Sequence, residues 1–138
     1  MPTWTFWDYV DDNGVSQIQV WLNTFKPEKR EAIRSKLVAA LNVANTVGRL
    51  QPPRFEIPEG RYRDLIVIRW ERDKVAYRVF ACYAPNVQPP EIWLLVGGTE
   101  HNDRYRPPGI WDTAMQRRSA VLQDRNRVRP TCLKIRNN

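Results

Sequence analysis

Two stretches near the middle of the chain carry a period of two. Residues 65–70 (LIVIRW) and 75–83 (VAYRVFACY) alternate their side-chain character and are rich in β-branched and aromatic residues, which suit a pleated, half-buried strand. The polar run ERDK between them marks the turn of an antiparallel hairpin. A turn at Arg72-Asp73, or one spread over Glu71 to Lys74, puts Trp70 opposite Val75, Arg69 opposite Ala76 and Val67 opposite Arg78. Ile66, Ile68, Trp70, Val75, Tyr77, Val79 and Ala81 then share the core face. Leu65, Val67, Arg69, Lys74, Ala76, Arg78 and Phe80 share the other.

The flanking patterns supply covers for this sheet. WTFWDYV (residues 4–10) reads as a strand that stops at Asp11-Asp12-Asn13-Gly14. Ser16 with Gln19 forms a capping box, and Ile18, Trp21, Leu22 and Phe25 follow at helical spacing for about two to three turns. Pro27 opens a second helix whose stripe of Ile33, Leu37, Ala40, Leu41 and Ala44 runs to Gly48. These two helices form a hairpin that buries the core face. Residues 51–63, rich in Pro, read as an extended surface connection that brings Arg54, Arg61 and Arg63 near the start of the strand hairpin.

Downstream, Pro85, Pro89 and Pro90 keep a loop extended before an apolar central strand, Ile92 to Val96, which is expected to end at Gly97-Gly98. There the backbone can turn sharply or approach a ligand closely. A polar segment, Thr99 to Arg106, follows. Thr113 with Gln116 predicts the start of a last helix reaching about Arg127, with a thin apolar side of Ala114, Met115, Val121 and Leu122 that packs lightly. Residues 128–138 read as a flexible basic tail. The fold class is α+β: an N-terminal strand, a helical hairpin, a three-stranded antiparallel meander and a C-terminal helix, one domain over residues 1–127.

Composition narrows the function classes. At 138 residues and 42% hydrophobic content the chain can bury a core without metal or disulfide support. No run is long and apolar enough for a membrane span, and the N-terminus lacks signal-peptide character, so the expected location is the cytoplasm. Cys82 and Cys132 form neither a disulfide framework nor a metal pattern and are expected to be free thiols. The net charge of +7 lies wholly in the C-terminal quarter, because residues 1–103 hold 13 basic and 13 acidic side chains and residues 104–138 hold 9 and 2. That asymmetry points to a polyanion partner or to a solvated helix with a frayed end.

Arg69 and Arg78 fall diagonally on one face in the expected registers, within reach of a single anion. Two readings are open for mid-strand guanidiniums: each pairs with a carboxylate such as Glu71, Glu100 or Asp103, or the two clamp a phosphate with planar bidentate donors.

The order of elements, together with four phrases, resembles the RelE/ParE toxin superfamily in its phage-derived, HigB-like branch. The phrases are DYVDDNGVSQIQVWLNTF, RDLIVIRWERDKVAYRVFACY, IWLLVGGTEHNDRYRP and DTAMQRR, and the similarity covers roughly residues 6 to 127. The resemblance implies the toxin of a type II toxin-antitoxin system, an endoribonuclease that cleaves mRNA on the ribosome and is silenced by a cognate antitoxin protein. It needs neither metal nor other cofactor, since the RNA 2′-hydroxyl is the nucleophile. On this reading Arg69 and Arg78 stabilise the scissile phosphate. Where the family often carries a lysine, this chain has His101, so Glu100 or His101 is assigned proton transfer. Arg61, Arg63, Lys74 and Arg104 are expected to bind RNA, and Phe80 and Tyr105 to stack bases. An acidic antitoxin would cover the basic groove. Removing the basic tail is expected to weaken binding but spare cleavage. The alternatives are a gyrase-directed ParE-like toxin and a non-catalytic prophage RNA-binding or accessory protein.

Overall fold

Alternation and capping fix most of the element boundaries. The computed structural model describes residues 4–136. In chain order these contain β1 (Thr5–Tyr9), α1 (Gln17–Leu22), α2 (Pro27–Val47), β2 (Phe55–Glu56), β3 (Ile66–Arg72), β4 (Val75–Tyr83), β5 (Glu91–His101), β6 (Arg104–Arg106), α3 (Ile110–Gln123) and β7 (Val128–Pro130). The class is α+β. The strands form one seven-stranded sheet in the order β2-β3-β4-β5-β1-β7, with β6 pairing β5. β1 runs parallel to β5, and the other pairings are antiparallel.

The central hairpin turns on Asp73 and Lys74, both in left-handed backbone with φ of 53° and 65°. A two-residue turn of that hand matches the twist of the flanking strands. Arg72 therefore faces Val75, Trp70 faces Tyr77, and Arg69 faces Arg78 directly. The register expected from the sequence is thus two residues off. Because the difference is even, each side chain keeps its face, and the partition into two faces holds.

One face packs on α1 and α2 through Ile66, Ile68, Tyr77, Val79, Ile18, Leu22, Ile33, Leu37 and Leu41. Ser16 caps α1 by accepting from the Gln19 N–H, but α1 is only six residues long. It stops at Leu22, whose carbonyl, like that of Phe25, accepts from the Arg30 guanidinium on α2. Pro27 opens α2, and Gly48 ends it in left-handed conformation.

The opposite face is also buried, which the sequence reading underrated. α3 sets Ile110, Ala114 and Val121 against Leu65, Val67, Phe80 and Leu95. Gly109, at φ 71°, caps α3, so the helix begins before Thr113, whose N–H donates to the Gly109 carbonyl, and it ends at Gln123 rather than Arg127. Light packing of this helix is therefore not what is found, since Ile110 and Ala114 are wholly buried.

The Gly97-Gly98 pair does not end the strand. β5 runs through it to His101, and the glycines admit neighbours: a methyl at Gly97 would overlap the Trp21 ring, and one at Gly98 would meet Ile110 and the Arg106 carbonyl. Gly97→Ala is expected to lower stability by about 1–3 kcal/mol through overpacking, read as a fall in the urea midpoint at constant m-value. An unchanged midpoint would show that Trp21 moves aside freely.

The expected flexible tail is, over its described residues, part of the fold. Val128–Pro130 pair with β1, and Val128, Leu133 and Ile135 are buried. Buried Asp8 locks the join by accepting from the Ser16 hydroxyl at 2.8 Å and the Cys132 N–H at 2.9 Å. Three apolar positions spaced along a polar, Pro-containing segment give no periodicity to read. Cys82 and Cys132 are free thiols, each pushed up to about 12 chiefly by burial, with Asp8 adding to the effect on Cys132. No helix among the described residues is long and apolar enough to cross a membrane.

Candidate active site

On the α3-facing side of the sheet, the apolar row of Val67, Phe80 and Val96 gives way to a row of Arg69, Arg78 and Gly98, and then to Glu71, Ala76, Glu100 and Tyr105. Alternation dictates that succession once the register is set. The Arg69 N–H points away from β4, to the Arg54 carbonyl at 2.8 Å. Arg69 and Arg78 are therefore a non-hydrogen-bonded pair, the type whose Cα atoms approach to about 4.5 Å. Like charges so placed repel, and each needs its own counter-charge.

Both have one. Arg78 is buried and its Nη2 lies 3.0 Å from Glu100 Oε1, while Nη1 donates to the Tyr77 carbonyl at 3.0 Å. Arg69, more exposed, pairs with Glu56 on β2. The carboxylate expectation holds for Glu100, whereas Glu71 and Asp103 pair with neither arginine. Glu56 was missed, because a two-residue strand in a Pro-flanked connection carries no alternation signal. The Arg78–Glu100 pair is largely desolvated, so a phosphate reaching Arg78 must replace or join a carboxylate already there.

Glu100 borders a cleft of about 540 Å³ together with Lys74, His101, Arg104, Tyr105 and Arg106. Five of the residues singled out from sequence thus meet in one place, and Arg106 joins them. Its paired position across from Thr99 in a short hairpin was not legible in the sequence. Glu100 and His101 occupy successive positions on β5 and so point to opposite faces. Only Glu100 contacts Arg78, whereas His101 is exposed, its Nε2 3.3 Å from the Asn102 side chain. Of the two residues expected to move a proton, Glu100 alone lies against a sheet arginine. The Tyr105 hydroxyl is pushed up by burial first and by the Glu100 charge second.

Other expected residues lie elsewhere. Phe80 is fully buried, edge-on to Trp111 at 4.7 Å and near Tyr105 at 6.2 Å, so it forms the floor of an aromatic cluster and no base can stack on it. The amphipathic α3 brings Trp111 down onto it. Arg61 stacks over Tyr62 and pairs with Asp112 at 2.7 Å, and the Tyr62 hydroxyl, followed by Arg61, holds the Asp112 carboxyl below its usual range. This couple ties the connection before β3 to the first turn of α3. Arg63 is exposed, its guanidinium donating to the Gly60 carbonyl at 3.2 Å.

Several C-terminal cations are committed as well. Arg125 makes a two-pronged pair with Glu91 and lies over Trp7 at 4.8 Å. Arg127 donates to the Tyr9 hydroxyl and pairs with Asp12. Arg117 donates to the Leu95 carbonyl at 2.8 Å. The charge excess read as a polyanion-binding tail is in part a clamp on the β1 edge of the sheet.

The chain matches no protein-family model, no curated protein and no solved structure.

Proposed function

We propose that this chain is the toxin of a type II toxin-antitoxin system, a RelE-like, HigB-like endoribonuclease acting on mRNA at the ribosome. One observation carries the reading: two arginines face each other at the closest kind of cross-strand pair, beside a basic cleft, each with a carboxylate on it. In the proposed reaction Glu100 gives up Arg78 to the scissile phosphate and accepts the 2′-hydroxyl proton. The 2′-oxygen bonds to phosphorus as the bond to the 5′-oxygen breaks, leaving a 2′,3′-cyclic phosphate and a 5′-oxygen that takes a proton from water to become the 5′-hydroxyl. Arg69 and Arg78 hold the charge of the phosphorane, the role in which preorganised cations contribute most. The partner is an acidic antitoxin laid over Lys74, Arg104 and Arg106.

Controlled expression in bacteria, with growth curves and primer-extension mapping of transcript ends, tests this. Growth arrest with new mRNA ends is expected. Arrest with intact transcripts would favour a gyrase-directed toxin. The neutralised state of both arginines favours a second reading, a non-catalytic RNA binder, and no arrest from folded protein would support it.

A further inference from the structure

Beside the sheet arginines a second concavity, of about 350 Å³, passes over the outer edge of β3. Its walls include Lys36 from α2, Arg54, Arg69, Trp70, Glu71 and Arg78. β2 covers only the first part of that edge. Beyond the bond from the Arg69 N–H to the Arg54 carbonyl, alternation turns the Glu71 backbone amide and carbonyl outward, where no strand among the described residues lies alongside. An open edge of this kind is normally blunted by charge, and here four of the five charged wall residues are cationic.

The cations of this groove differ in their commitments. Arg69 and Arg78 are engaged by Glu56 and Glu100. Lys36 and Arg54 are exposed, and among the described residues neither side chain has a hydrogen-bonding or ion-pair partner. Glu71 is the one acidic wall residue. Trp70, half-buried and stacked on Tyr77 at 5.7 Å, adds a rigid aromatic wall. Two uncommitted cations, an indole and an outward backbone amide make a groove suited to an extended phosphodiester, because every phosphate is anionic and every base offers a π-face.

We infer that this edge groove is the track by which single-stranded RNA leaves the sheet site, with Lys36 and Arg54 holding phosphates that flank the one between Arg69 and Arg78. The inference rests on the ribonuclease reading and extends it from a single phosphate to a strand. It assigns the two cations to affinity for length, and none of the chemistry.

The test uses the full chain and a fluorescent, fully 2′-O-methylated RNA ten-mer, which cannot be cleaved, with a dinucleotide monophosphate as the short competitor. Lys36→Gln/Arg54→Gln is compared with Arg69→Gln. All three positions are exposed or half-exposed, so folding is spared. Losing two phosphate contacts is expected to flatten the slope of log affinity against log salt by about 1.4, and so to weaken ten-mer binding roughly 10- to 30-fold near 0.1 M salt. Dinucleotide affinity stays unchanged in the double variant and falls in Arg69→Gln. Ten-mer affinity and slope unchanged in the double variant, but reduced in Arg69→Gln, would overturn the track and leave the sheet site standing. An equal loss for ten-mer and dinucleotide would overturn the flanking assignment. No binding of the ten-mer by the wild-type chain would overturn the track, whereas the ribonuclease reading stands or falls on transcript cleavage at the ribosome.

Discussion

Deleting residues 128–136 is expected to unfold the protein, not merely to strip it of charge. Val128, Leu133 and Ile135 are buried, and burying each such side chain is worth about 1.5–3 kcal/mol. The deletion also leaves β1 as a bare edge and takes from Asp8 its bond to the Cys132 N–H. A loss of roughly 5–9 kcal/mol is comparable with the whole net stability of a domain, about 5–15 kcal/mol. Circular dichroism should show loss of the cooperative thermal transition at 37 °C and above. Lys134→Gln, which removes exposed charge alone, should melt at the wild-type temperature. A truncated chain that melts normally would refute the structural role of this segment.

The second large effect concerns Arg78 and Glu100. Removing one member of a buried pair strands the other, at a cost of about 3–5 kcal/mol, whereas removing both is much less costly. Arg78→Ala alone should therefore be strongly destabilised, and Arg78→Ala/Glu100→Ala should recover most of that loss in urea denaturation. Activity should divide differently. Arg78→Ala is expected to lose about 10²- to 10³-fold in cleavage with the phosphorane cation gone, and the double variant, which also lacks the proposed base, at least as much. Glu100→Gln should bind uncleavable RNA more tightly, since the competing charge has left Arg78, yet lose about 10²- to 10⁴-fold in rate as the base is removed. Glu100→Gln with full activity would end the assignment of Glu100 as the base.

These expectations could not all have been written from the sequence. Alternation in residues 65–83 was enough to put Arg69 and Arg78 on one face, and Ser16, Pro27 and Gly48 marked helix ends that the structure keeps. The register was misplaced by two because Asp73-Lys74 lacks the glycine that usually announces a left-handed turn. The partners were harder still. Glu56 reaches Arg69 from a strand too short to have a period, and Phe80 looked like a stacking platform until α3 laid Trp111 over it. The last strand was hidden in basic, Pro-containing sequence, where Val128 is the one buried position of three. Local rules read the chain one segment at a time, whereas these contacts join segments far apart in sequence.

The most direct measurement is end-group analysis of mRNA on translating ribosomes incubated with purified wild-type protein and with the Arg78→Ala/Glu100→Ala variant. The ribonuclease account predicts fragments ending in 2′,3′-cyclic phosphate with the wild type and none with the variant, both proteins being folded. Fragments of equal yield from the two, or none from the wild type, would contradict it.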